Sequence, residues 1–183
     1  VTETNEIVVN RAPFLTLWAS VVARRLGYEA GTALTLGKAV AGQTAAAKGK
    51  RLGLVSGRPQ EARDEIERKR AALGSETIEF MDRRIACVRT PDGLRSLADD
   101  RPVDPESVRR YLQTKFGEQL SLVEDALTRL ADAYEPDEIE RQAMPLYMEL
   151  RPATPTGRQG WGKAGILDVA RIDRFASERR EVA

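Results

Sequence analysis

The hydrophobic residues of this chain fall mostly at intervals of three and four, the period of helices. Phe14 to Leu26 is the clearest case: Leu15, Trp18, Val22 and Leu26 form one apolar stripe, and Gly27 supplies the stop. A second helix is expected over 30–48, with Leu34, Ala41 and Ala45 along one side. Gly37 and Gly42 weaken it intrinsically, and small residues there suit a close approach to another helix. Pro59 opens a charged helix over 60–73, with pairs such as Glu65 and Lys69 at helical spacing and at least one long face left to solvent.

The strand period is confined to a short stretch. Thr77–Phe80 and Arg84–Val88 read as a hairpin around Met81, Asp82 and Arg83. Gly93–Leu97 adds a third segment after the Pro91-Asp92-Gly93 turn, and residues 99–103 read as a loop. Helices resume at Asp104, a cap followed by Pro105 in the first helical position. Two more are expected over 118–133, with Leu120, Val123, Leu127 and Leu130, and over 136–150, where Pro145 interrupts the pattern. Residues 151–165 read as a Gly- and Pro-containing loop, and Ile166 to Glu181 as a last helix led by Asp168. Residues 1–10 read as a short extended tail or edge strand. The expected fold is mainly α (α+β), with six or seven helices and a small antiparallel hairpin or three-stranded sheet. It is expected as a single domain over 1–183. The alternative is an N-terminal helical unit over 1–58 and a hairpin plus helical unit over 59–183.

Composition narrows the chemistry. The chain has 183 residues, 42% hydrophobic and 31% charged, with no His. Without imidazole there is no Ser-His-Asp triad, no HExxH site and no His/Cys zinc site. Cys87 is the single cysteine, so neither an internal disulfide nor a CxxC pair can form. In its run of Ile85, Ala86 and Val88 it reads as a small buried hydrophobe. A lone free thiol fits a cytoplasmic setting. No run has the length of a membrane span, residues 1–10 hold no basic leader, and no membrane partner is expected. Gly37-Lys38 and Gly49-Lys50 lack the spacing of a phosphate loop, and no motif implies a cofactor or a metal. The acids from Glu124 to Glu140 sit near helix starts, where carboxylates are favoured electrostatically, and no catalytic residue is assigned.

Charge is divided along the chain. Residues 1–75 hold 12 Lys/Arg against 7 Asp/Glu, and residues 76–183 hold 17 against 21, so a net charge of +1 conceals a basic part and an acidic part. Arg24, Arg25, Lys38, Lys48, Lys50, Arg51 and Arg58 stand against Glu29 alone between Ala12 and Arg58. Such a cluster suits nucleic-acid phosphate. The first two helices, with Gly27 as the turn and Ala33 as an apolar anchor, have a helix-turn-helix-like spacing. The other reading is that the basic part complements the acidic part, within one chain or across a homodimer. Trp161, between Gly160 and Gly162, either packs its loop back onto the core or, with Lys163, contacts a base or ligand.

The segments Asn10–Trp18, Ala33–Gly42 and Gly160-Trp161-Gly162 resemble those of a conserved uncharacterised bacterial protein family of unknown function. The resemblance implies a bacterial cytoplasmic protein and assigns no residue a role. The expected function is macromolecular interaction, with DNA as the candidate partner of the basic N-terminal helices. One alternative is a structural or oligomer-forming protein that binds no nucleic acid. The other is an enzyme with a carboxylate or bound-cofactor site, which a concave apolar pocket gathering Trp161, Arg and Asp/Glu side chains would support.

Overall fold

The structure is a computed structural model and describes residues 6–183. It is mainly helical and α+β, as the pattern predicts, with two small antiparallel sheets where one was expected. Of the expected extended segment, residues 1–5 lie outside the described residues and Glu6–Asn10 form strand β1. Helices α1 (Arg11–Arg25) and α2 (Ala30–Arg51) then make a tight hairpin. Gly27 turns it with φ +102, a conformation that L side chains avoid. Every residue of α1 from Pro13 to Ala23 is buried, so this helix is central and its stripe is only part of its contact surface.

Gly37 sets the spacing of the hairpin. A Cβ built on it would collide with the Thr16 carbonyl oxygen and stand 3.1 Å from the Ser20 amide nitrogen. Gly42 has open space instead, so only one of the two glycines serves the close approach. On its other flank α1 meets α5 (Leu120–Asp132) and α6 (Pro136–Leu150). The Trp18 indole Nε1 donates to the Ala143 carbonyl oxygen at 2.9 Å, which satisfies the one polar atom of a side chain only 1% exposed. Of the expected apolar positions on α5 and α6, Val123, Leu127, Leu130, Ile139, Ala143, Leu146 and Leu150 are buried, and Leu120 is half-buried.

Helix α3 (Gln60–Ala72) buries none of its residues. Arg70 Nε, which donates to the Asp99 carbonyl oxygen, ties it to the molecule. The four strands β2 (Glu76–Phe80), β3 (Arg83–Thr90), β4 (Gly93–Ala98) and β5 (Arg101–Pro102) form a meander in sequence order. The first hairpin turns on Met81 and Asp82, both at positive φ, as a two-residue loop requires. Its extra strand, β5, falls in the segment expected to be a loop. Cys87 on β3 is fully buried, and burial pushes its thiol up to about 11, as expected of an inert packing residue.

Strand β4 is joined to α2 by polar contacts. The Ser96 amide donates to Thr35 Oγ1 at 3.0 Å, and Ser96 Oγ donates to the Thr35 carbonyl oxygen at 2.7 Å. Arg95 donates to Glu29 Oε1 at 2.7 Å, while Glu29 caps α2 by accepting from the Thr32 amide at 2.9 Å. Asp104 caps α4 (Pro105–Phe116), as its sequence position predicts.

The expected final helix from Ile166 is corrected by the structure. Ala164–Asp168 is strand β6, and α7 (Val169–Val182) starts only after it. Strand β6 pairs with β1, placing Ile7 opposite Leu167 on the buried side and Val8 opposite Ile166 on the exposed side. Asp168 then caps α7 by accepting from the Arg171 amide at 3.1 Å. The hydrophobic core runs from Ile7 on β1 to Ala176 on α7. No helix among the described residues is long and apolar enough to cross a membrane.

Candidate anion-binding site

The antiparallel α1–α2 hairpin separates the seven basic residues singled out in the sequence. Arg24 and Arg25 end α1, beside the start of α2, whereas Lys48, Lys50 and Arg51 lie at the end of α2. At 1.5 Å per residue, Lys48 is about 27 Å along α2 from Ala30. The first group is engaged by the acidic part of the chain. Arg24 Nη2 donates to Glu124 Oε1 at 2.7 Å, and Arg25 Nη2 donates to the Tyr134 carbonyl oxygen at 2.7 Å beside Asp132. Arg58 donates to Asp99 Oδ1 at 2.6 Å. Lys38 is exposed midway along α2, and Lys50 is exposed beside Gly57. Residues Thr32–Gly37, the part of α2 that a helix-turn-helix would offer to a groove, are buried.

Lys48 and Arg51 lie in a different setting. A cleft of about 380 Å³ opens between the start of α1, the end of α2, the C-terminal half of α6 and the Gly160–Lys163 turn. Leu15, Ala41, Ala45, Met144 and Tyr147 give it apolar walls. Tyr147 is 4% exposed and stacks on Phe14 at 6.1 Å between ring centroids. Burial raises its phenol above the ordinary value, and nearby Arg151 and Arg11 partly oppose that rise.

Six cationic side chains line the same cleft: Arg11, Lys48, Arg51, Arg83, Arg151 and Lys163. No Asp or Glu lines it, and none of the six is in an ion pair among the described residues. Burial, then the charges of Arg11, Arg151 and Arg51, lower Lys48 from its ordinary value. Burial, then Arg151, lower Arg11 in the same way. For these two residues burial is the larger cause and neighbouring positive charge the smaller. Arg83 Nη2 donates to Thr44 Oγ1 at 3.1 Å, but its Nε is buried with no hydrogen-bond partner among the described residues.

Helix geometry accounts for part of this cluster. Lys48, Arg51 and Arg151 stand at or just past the C-terminal ends of α2 and α6, where the helix dipole favours cations. Arg11 does not fit that explanation, and its Nε instead donates to the Pro152 carbonyl oxygen at 2.9 Å. It is the first residue of α1, where the dipole favours an anion, and no acid stands in that first turn. The preceding Asn10 makes no side-chain cap and donates through Nδ2 to the Gly162 carbonyl oxygen at 3.0 Å.

Trp161 closes one side. Its turn is held by Asn10, and Arg158 Nε donates to the Leu52 carbonyl oxygen at 3.0 Å. The half-buried indole rests on Gly49 of α2, which ties its loop to the core, and it also lines the cleft. Lys163 lines the cleft beside it. Sequence reasoning missed Arg11, Arg83 and Arg151. Arg83 follows Asp82 and Arg151 stands two residues after Glu149, so neither stands out in a local charge count.

The cleft meets the pocket condition of the enzyme alternative only in part. Trp161 and arginines converge, but no carboxylate does, so the lining offers no acidic side chain for proton transfer. It can neutralise an anion and cover an apolar body. A larger and more open depression of about 460 Å³, near the start of α4, differs in character. Asp92, Asp104 and Glu106 share its lining with Arg95 and Arg109, and Arg95 is already bound to Glu29. Comparison with known proteins returns no matching family model, no matching curated protein and no matching solved structure.

Proposed function

We propose that the protein binds a small anionic ligand with an apolar body, and that the cleft between α1, α2, α6 and Trp161 is the site. One observation carries this reading: among the described residues, six cations without an ion pair surround an apolar-walled cleft that no carboxylate lines. Like charges so placed repel one another, and a bound anion would supply a counter-charge in a partly dehydrated space. The volume of about 380 Å³ falls in the range of small-molecule sites.

The fluorescent sulfonate 1-anilinonaphthalene-8-sulfonate tests this, because it joins one negative charge to an aromatic body. One molecule is expected to bind per folded chain. A Lys48→Met/Arg51→Gln double variant is expected to lose about tenfold in affinity. Arg24→Gln, at the other end of the hairpin, is expected to change nothing. Absence of stoichiometric binding, or equal binding by the double variant, would refute the proposal.

The nucleic-acid reading retains one supporting observation: exposed Arg51 and Lys163 line the cleft, and exposed Lys50 adjoins Arg51 in the chain. It requires single-stranded nucleic acid to approach this rim, since Arg24, Arg25 and Arg58 are committed to contacts within the chain. A gel shift lost in Lys50→Gln/Arg51→Gln but retained in Arg24→Gln/Arg25→Gln would support it.

A further inference from the structure

We infer that the ligand class is an organic pyrophosphate with a planar ring, such as a nucleoside diphosphate, bound without a divalent metal ion. This rests on the reading of the cleft as an anion site and goes beyond it by fixing the charge and shape of the occupant.

The charge follows from the cations. A monocarboxylate would offset one of six and leave the rest repelling one another. A pyrophosphate ester carries several negative charges and enough acceptor oxygens for several donors. Arginine forks match such oxygens bidentately, and Lys48 supplies a compact charge between them. Arg83 adds a buried Nε that lacks a partner among the described residues.

The metal-free mode follows from the donor set. Magnesium is held by carboxylates together with phosphate oxygens and keeps much of its water. The cleft lining contains no carboxylate. A magnesium ion on the pyrophosphate would cancel charge that the arginines and lysines are placed to meet, and would add a cation among them.

The planar ring follows from the apolar and aromatic part of the lining, Trp161 with Met144 and Tyr147. Trp161 is carried on a turn between Gly160 and Gly162, with one edge of its indole on α2 and the cleft beside it. Met144 and Tyr147 face the same space. Aromatic rings stack on such surfaces.

Titration calorimetry with ADP, AMP, pyrophosphate and dodecanoate tests the inference. ADP in EDTA is expected to bind at least about tenfold more tightly than AMP, and excess magnesium to weaken it severalfold. Trp161→Ala should weaken ADP about tenfold while leaving pyrophosphate within about twofold, which separates lost stacking from a damaged site. If ADP binds no better than AMP, or better with magnesium, the inference is wrong. If dodecanoate binds one to one and ADP does not, the anion site stands and the pyrophosphate class falls. If neither these ligands nor the sulfonate dye binds, both readings fall.

Discussion

Trp161 lies against Gly49 so closely that a Cβ on the glycine would stand 2.9 Å from the indole Cη2. The missing side chain on α2 therefore sets where this wall of the cleft stands. Gly49→Ala should push Trp161 outward while leaving the helix intact, since alanine is the better helix former. The other atom in its way, Val55 Cγ2 at 2.8 Å, belongs to an exposed loop residue. The expected result is a shifted Trp161 fluorescence and severalfold weaker dye binding, with a melting temperature close to that of the wild type. Unchanged binding would show that Trp161 is not a wall of the site.

Gly37 and Gly42 should respond oppositely to the same substitution. Gly37→Ala forces a methyl into the backbone of α1, and overpacking of this kind costs on the order of 2–3 kcal/mol. Gly42 has nothing within 4 Å of its added Cβ, so Gly42→Ala should be neutral or stabilising by up to about 1 kcal/mol. Urea unfolding of the two variants distinguishes them.

Glu29 gives the acid limb of stability a specific component. Its hydrogen bond from Arg95, then that from Thr32, hold its carboxyl down to about 2 from 4.5. Because the folded value lies below the unfolded one, its contribution is complete above about 4.5 and is lost as pH falls toward 2. Glu29→Gln should cost about 1 kcal/mol at neutral pH, with a shallower loss of stability across that acid window. Parallel pH dependences in variant and wild type would assign the acid loss to other carboxylates.

Lys48 should act in the reverse sense. Its folded value lies below 10.5, so the unfolded chain holds its proton more tightly. Its charge therefore opposes folding at neutral pH, and the penalty fades as pH rises through the folded value toward 10.5. Lys48→Met should stabilise the unliganded protein by a few tenths of a kcal/mol, a small gain because solvent screens the half-exposed cluster. The gain should shrink in alkali. A variant both less stable and unable to bind would point to a structural role for Lys48 instead.

Local pattern revealed most helices and the main hairpin, because their signals lie within a few residues. The α1 stripe, the Asp104–Pro105 start of α4 and the Met81–Asp82 turn are of this kind. Strand β6 was hidden because its five residues, beginning Ala164-Gly165, carry little strand signal alone. It is fixed by pairing with β1 more than 150 residues away in the chain. The site divides in the same way. Lys48, Arg51, Trp161 and Lys163 could be found from local composition. Whether a cation is free cannot, since Arg24 meets its acid 100 residues away and Arg58 meets Asp99 41 residues away. The division of charge along the sequence is thus partly spent on internal pairs. The cations left in the cleft come from α1, α2, β3, the end of α6 and the Trp161 turn, which only the fold assembles.

The most direct test is thermal unfolding with millimolar pyrophosphate against sodium chloride of equal ionic strength. A ligand bound only by the folded chain raises its stability according to concentration over dissociation constant. The wild type should melt at a higher temperature in pyrophosphate than in chloride, and the Lys48→Met/Arg51→Gln variant should show little of that rise. An equal rise in both proteins would contradict the assignment of this cleft as the anion-binding site, and no rise in the wild type would contradict its preference for pyrophosphate.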